Sequence, residues 1–107
     1  MDIEALAQMY GLEIEEALEI VSVFIEATRS DLDKIQTAAA DRDGETAADA
    51  AHSLKGAAGN LGLTEISEAA KALETEFKQN RFSGTEEQLN FLTRQLKQIE
   101  EQLNTRP

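Results

Sequence analysis

His52 is the only histidine among 107 residues, and its imidazole is the one group in this chain suited to act as a nucleophile near neutral pH. Cysteine is absent, so thiol nucleophiles, thiolate metal sites and disulfides are excluded. Lys55 stands three residues after His52 and Gly56 four residues after it. On a helix those two positions lie beside the histidine. An ammonium at Lys55 would attract an anionic group attached to the ring. A bare backbone at Gly56 would expose the ring and leave room for that group. A phosphoryl group bound to nitrogen suits all three residues.

The surrounding segment supports a helix with two unlike faces. At about 100° per residue, with His52 at zero, Ala47, Ala50, Leu54, Ala57, Ala58 and Leu61 lie between about 140° and 240°. That face is apolar and reads as core. Ala48, His52, Lys55, Gly56 and Gly59 fall within about 60° of His52 on the other side, with Asp49 at the edge. Two glycines inside a helix each cost roughly 1 kcal/mol relative to alanine. A lone surface histidine is more often ordinary decoration, and glycines can mark close helix packing. Here both glycines face away from the apolar stripe, which favours cleared access to His52.

Four further segments carry helical spacing. A short first helix is expected over residues 2–10, with Ile3, Leu6, Met9 and Tyr10 on its apolar side and Gly11 at its end. A long second helix is expected over 13–39. There Ile14, Leu18, Val21, Ile25, Thr28, Leu32, Ile35 and Ala39 form one stripe, which Ile20 and Phe24 widen. The histidine helix is expected over 45–61, a fourth over 64–79 and a fifth over 85–103. Thr64 is the expected N-cap of the fourth, and Asn104 to Pro107 are expected to fray. Long amphipathic helices with short connections imply an all-α, antiparallel up-down four-helix bundle with a short additional N-terminal helix. The length fits a single domain spanning 1–107.

Charge narrows the partners. Ten basic and 21 acidic residues leave a formal charge of −11. A surface of that sign repels nucleic acid and anionic membrane. No apolar run approaches the ~20 residues that span a bilayer, and no signal-peptide pattern opens the chain. A cytoplasmic location is the expectation. With aromatic residues at 5% and no tryptophan, the core must come from Leu, Ile, Val and Ala.

The stretch Ala51-His52-Ser53-Leu54-Lys55-Gly56-Ala57-Ala58-Gly59-Asn60-Leu61-Gly62 resembles the signature of histidine phosphotransfer (HPt) domains. The family pattern is roughly Ala-His-x-Leu-Lys-Gly, two small residues, two of any type, Leu or Ile, then Gly, and every fixed position is present. The resemblance extends into the next helix at Ala70 and Ala72-Leu73-Glu74. It implies a four-helix antiparallel bundle with the phosphorylated histidine exposed near the middle of one helix. His52 would be the phosphoacceptor, usually through Nε2 in the family. Lys55 would stabilise phosphoryl charge, and Gly56 would give steric access. The positions matching the family's polar neighbours are Glu74 and Lys78. Many members carry Gln where this chain has Glu74, so Lys71 or Lys78 would have to neutralise the carboxylate. Ser67, Lys71, Glu74 and Lys78 share one flank of their helix, although an ordinary solvated flank would look the same.

The resemblance also implies a phosphocarrier rather than an enzyme. The chain would supply the imidazole, with no cofactor or metal of its own. A response-regulator receiver would supply an Asp and Mg²⁺. Partners would be receivers and possibly a histidine kinase. A monomer is expected, since one bundle can bury its own stripes. Ile20 and Phe24, with Met9 and Tyr10, are candidates for a docking surface around His52, although Met9 and Tyr10 could simply seat the first helix. Gly59 belongs to the same strip. A sensor-kinase dimerisation domain would show an acidic residue after the histidine and a Pro a few residues on. Ser53 follows here, and the only Pro is Pro107. A non-phosphorylated helical adaptor and the phosphotransfer domain of a chemotaxis-type kinase remain the alternatives.

Overall fold

A computed structural model of the chain describes residues 1–105. It contains five helices: α1 (Ile3–Tyr10), α2 (Ile14–Ala40), α3 (Gly44–Asn60), α4 (Thr64–Lys78) and α5 (Glu86–Asn104). Each bound falls within one residue of the expectation. Helices α2 to α5 form the antiparallel bundle, and α1 packs on α2. At about 1.5 Å per residue, the 27 residues of α2 account for the 42 Å long axis of the molecule. Among the described residues no helix is long and apolar enough to cross a membrane.

Local chemistry sets the helix ends. The Asp2 carboxylate accepts from the Ala5 amide at 3.0 Å and starts α1. Gly11 ends it at φ 65°, a left-handed geometry that glycine adopts freely. The Glu16 carboxylate reaches back to the Glu13 amide at 3.0 Å, which fixes the start of α2. Asp43 caps α3 by accepting from the Thr46 amide at 3.1 Å and hydroxyl at 2.7 Å. Thr64 does not cap α4. It is already helical, because the Leu63 carbonyl accepts from the Ser67 amide at 2.9 Å and Leu63 takes the flanking position. Asn104 still belongs to α5, so the fraying expected there does not begin at that residue. Residues 106 and 107 lie outside the described residues.

Small residues bring α3 close to its neighbours. Its buried positions are Gly44, Ala47, Ala48, Ala50, Ala51, Leu54 and Ala58. A Cβ at Gly44 would stand 2.2 Å from Asn80 Oδ1 and 2.5 Å from the Phe77 carbonyl oxygen, so only glycine fits where α3 begins against the end of α4. Larger side chains fill the space beyond: Val21 and Ile35 from α2, Leu54 from α3, Leu73 and Phe77 from α4, and Leu92 from α5. The Phe82 ring closes this end of the bundle, 5.9 Å from Phe77 and covered by the Arg42 guanidinium at 5.6 Å.

Candidate phosphoacceptor site

Two helices build the site. α3 carries His52 on its exposed side, with 65% of the side chain open to solvent. α4 packs along the side of α3 that bears Lys55, where the Ser67 hydroxyl donates to the Lys55 carbonyl at 3.0 Å. This places Glu74 of α4 beneath the imidazole. Glu74 is only 5% exposed. Its Oε2 lies 2.8 Å from His52 Nδ1, and its Oε1 accepts from Lys55 Nζ at 2.7 Å. Lys78, one turn further along α4, brings its Nζ to 3.2 Å from Glu74 Oε2.

The hydrogen-bonding inventory fixes the tautomer. An ionised carboxylate can only accept, so His52 Nδ1 carries the hydrogen and donates it. In the neutral imidazole the lone pair then sits on Nε2, on the edge turned away from Glu74. Glu74 must be ionised for this to hold, and its surroundings keep it so. Burial pushes its carboxyl upward. Hydrogen bonds from Lys55, Lys78 and His52, with the Lys55 charge, outweigh that and hold it at about 2, against an ordinary 4.5.

The flank expected on α4 is therefore divided. Ser67, Glu74 and Lys78 turn toward α3. Lys71 is directed elsewhere and lines an outer cavity with Glu68, Thr75, Glu76, Ser83, Gly84 and Gln88. Neutralisation of Glu74 falls to Lys55 and Lys78. The two glycines also part company. A Cβ at Gly56 would meet nothing within 4 Å, so the approach to His52 is open on that side. A Cβ at Gly59 would meet Ser67 Oγ at 3.7 Å, which places Gly59 at the border with α4. Ala48, placed on the histidine face by its angle, is buried because α4 covers that edge.

Of the docking candidates, Phe24 is corrected by the structure. It lies in the core, because its position on α2 turns beneath α3. Ile20, Met9 and Tyr10 are at the surface. Tyr10 also seats α1, its hydroxyl donating to the Asn60 carbonyl at the end of α3. Sequence reasoning missed Val23, which is exposed beside Ile20, and Asp31, which is buried against Ser53. Burial raises the Asp31 carboxyl above its ordinary range, although the Ser53 hydroxyl and the Lys34 charge act the other way. Asp31 lies one residue before Leu32 of the apolar stripe, and that adjacency was the available signal. No group of three or more His, Cys, Asp or Glu able to hold a metal occurs among the described residues.

The Hpt domain family matches residues 19–103, from the first turns of α2 to the last turn of α5. No curated protein and no solved structure gives a significant match. Members of that family carry out histidine phosphotransfer in two-component phosphorelays. They are phosphocarriers without a catalytic site of their own, and they work with response-regulator receivers and kinases. The match spans all four helices of the bundle, and the one histidine in the sequence stands on the bundle's exposed surface within it: the chain belongs to the histidine phosphotransfer domain family.

Proposed function

We propose that His52 accepts a phosphoryl group from the aspartyl phosphate of one receiver and passes it to the aspartate of another. The observation that carries this reading is the hold on the ring: Nδ1 is engaged by Glu74 at 2.8 Å while 65% of the side chain stays open to solvent, which leaves Nε2 as the nitrogen free to react. In the first step the Nε2 lone pair attacks phosphorus in line and the receiver carboxylate leaves. A phosphoramidate replaces an acyl phosphate. In the second step a different carboxylate attacks, and the bond to Nε2 breaks. Positioning is the contribution of this chain. The receiver supplies Mg²⁺, which neutralises charge on the transferring group, and no cofactor is assigned to the chain.

Lys55 and Lys78 are both paired with Glu74, and two cations against one carboxylate leave a net positive charge near the ring that favours an anionic phosphoryl group. Gly56 leaves the receiver an unobstructed approach. Ile20, Met9 and Tyr10 supply exposed apolar surface where α1 meets α2, and Tyr10 ties that surface to the end of α3.

The test uses a phosphorylated receiver with Mg²⁺, beside a His52→Gln variant. Label should move to the wild type alone, and should be lost in acid and kept in base. If receivers bind but neither protein takes label, the phosphocarrier reading fails and the chain is a helical adaptor.

A further inference from the structure

Acidic side chains almost never lie inside a protein unless something there holds them. Of the 21 acidic residues in this chain, two are buried among the described residues: Asp31, 7% exposed, and Glu74, 5% exposed. Both address the same turn of α3. Glu74 meets it from α4, through His52 and Lys55. Asp31 meets it from α2, where the hydroxyl of Ser53, the residue after His52, donates to its carboxylate. The helix that carries the imidazole therefore has a buried carboxylate on each side.

The two carboxylates differ in what offsets them. Lys55 and Lys78 stand against the charge of Glu74. For Asp31 the favourable influences are the Ser53 hydroxyl and the Lys34 charge, and burial outweighs both. Phe24, Leu32 and Ile35 are buried on the same helix. An apolar residue at position 31 would join them without the desolvation penalty of a carboxylate. A buried acid that lowers stability, bonded to the neighbour of the phosphoacceptor, points to a role in the site.

The surface of α3 says what that role is. At about 100° per residue, Ala50, Ser53 and Ala57 lie between about 100° and 160° from His52, on the side that Asp31 addresses. Two of these are methyl groups and one is a hydroxyl. Methyl groups fill space but fix no rotation, whereas a hydrogen bond is directional. On the other side Glu74 holds the imidazole and the Lys55 ammonium, and the Ser67 hydroxyl donates to the Lys55 carbonyl. Held there alone, α3 can pivot about its contact with α4. A turn of about 15° moves a side chain at the ~5–6 Å outer radius of a helix by roughly 1.5 Å. That displacement breaks the 2.8 Å bond between Glu74 and His52. A misplacement of about 1 Å can cost on the order of a hundredfold in rate.

We propose that Asp31 is a positioning residue for the transfer: by holding Ser53 it fixes the rotation of α3, and with it the direction in which His52 presents Nε2 to the receiver. The proposal rests on the phosphocarrier reading. Asp31 acts through Ser53 and the backbone of α3.

The test compares the wild type with three single variants and one double. Asp31→Leu removes the bond and leaves no buried polar group behind. Ser53→Ala removes it from the other end. Asp31→Asn keeps an oxygen that accepts from the hydroxyl. A phosphorylated receiver with Mg²⁺ supplies the label. Asp31→Leu and Ser53→Ala should each lower the saturating transfer rate about tenfold and leave KM for the receiver unchanged. The Asp31→Leu/Ser53→Ala double variant should be no slower than either alone, because the two residues act as one unit. Asp31→Asn should keep most of the rate. The denaturation midpoint of Asp31→Leu should equal or exceed that of the wild type, which separates positioning from support of the fold. A full rate in Asp31→Leu, losses that multiply in the double variant, or a slower rate matched by a lower midpoint overturns the proposal.

A second readout needs no receiver. The ¹⁵N shifts of the neutral His52 ring should show the hydrogen on Nδ1 in the wild type and a mixture of tautomers in Asp31→Leu, although Glu74 is intact. Identical shifts in the two proteins overturn the positioning role. If the wild type takes no label, the phosphocarrier reading fails, and these shifts decide the role of Asp31 separately.

Discussion

Glu74 accepts a hydrogen bond from His52 Nδ1 at 2.8 Å across the α3–α4 interface, and so decides which ring nitrogen keeps its lone pair. A Glu74→Leu variant removes that acceptor. The ring should then populate both tautomers, readable from the ¹⁵N shifts of the two imidazole nitrogens. Transfer should slow on the order of tenfold. Glu74→Gln keeps an acceptor for Nδ1 and should retain most of the tautomer preference. Equal tautomer populations in the wild type would contradict this role.

Acid should weaken the fold through the same carboxylate. Glu74 is held at about 2 when folded, below its ordinary 4.5. Its stabilising contribution is therefore present above pH 4.5 and is lost as pH falls toward 2. The loss is on the order of 2 kcal/mol. Asp31, raised by burial, acts in the opposite sense. The difference between wild type and Glu74→Gln isolates the effect: denaturant unfolding should show that gap narrowing between pH 5 and pH 2.5. A gap that stays constant would remove Glu74 from the account.

Gly56 separates access from stability. Its Cβ position is open, so Gly56→Ala should fold and gain roughly 0.5–1 kcal/mol in the helix. Gly56→Met should also fold, yet transfer from a receiver should fall sharply because the side chain covers the approach to His52. Thermal melts and transfer rates on the same three proteins check it. Normal transfer by the Met variant would mean the approach runs elsewhere.

Gly44 should behave in the opposite way. Its Cβ would fall 2.5 Å from the Phe77 carbonyl oxygen, which is backbone and cannot swing aside. Gly44→Ala should destabilise by about 1–3 kcal/mol, measured by chemical denaturation.

Thr28 buries a hydroxyl that has no hydrogen-bond partner. Thr28→Val keeps the shape and removes the unsatisfied group. It should stabilise the domain by about 1 kcal/mol, with transfer unchanged. A loss of stability would point to a partner that the hydroxyl does have.

The bundle was legible in the sequence because helical spacing is a local signal. The stripe from Ile14 to Ile35 could be read without knowing its neighbours. The strip of His52, Lys55 and Gly56 was legible for the same reason, since all three sit within one turn. What depended on α4 was legible only through the family resemblance, which placed Glu74 and Lys78 near the ring and left Lys71 or Lys78 to neutralise the carboxylate. Glu74 is 22 residues from His52, and its value to the site depends on how α4 is rotated about its axis. That rotation turns Lys78 inward and Lys71 outward, although both share a flank with Glu74. Phe24 and Val23 show the same limit on α2. They are neighbours in sequence, about 100° apart on the helix, and the helices packed against α2 decide that one is core and the other surface.

The alanines of α3 have a consequence for how the chemistry is held in place. Among its buried residues only Leu54 is large, and an alanine contributes little hydrophobic grip of its own. The helix that carries His52 is held between α2 and α4, whose larger side chains fill the space around its alanines. Its order is borrowed from theirs. Cavities opened at Ile35, Leu73 or Phe77, far along the chain from His52, would loosen the ring before the rest of the domain gave way.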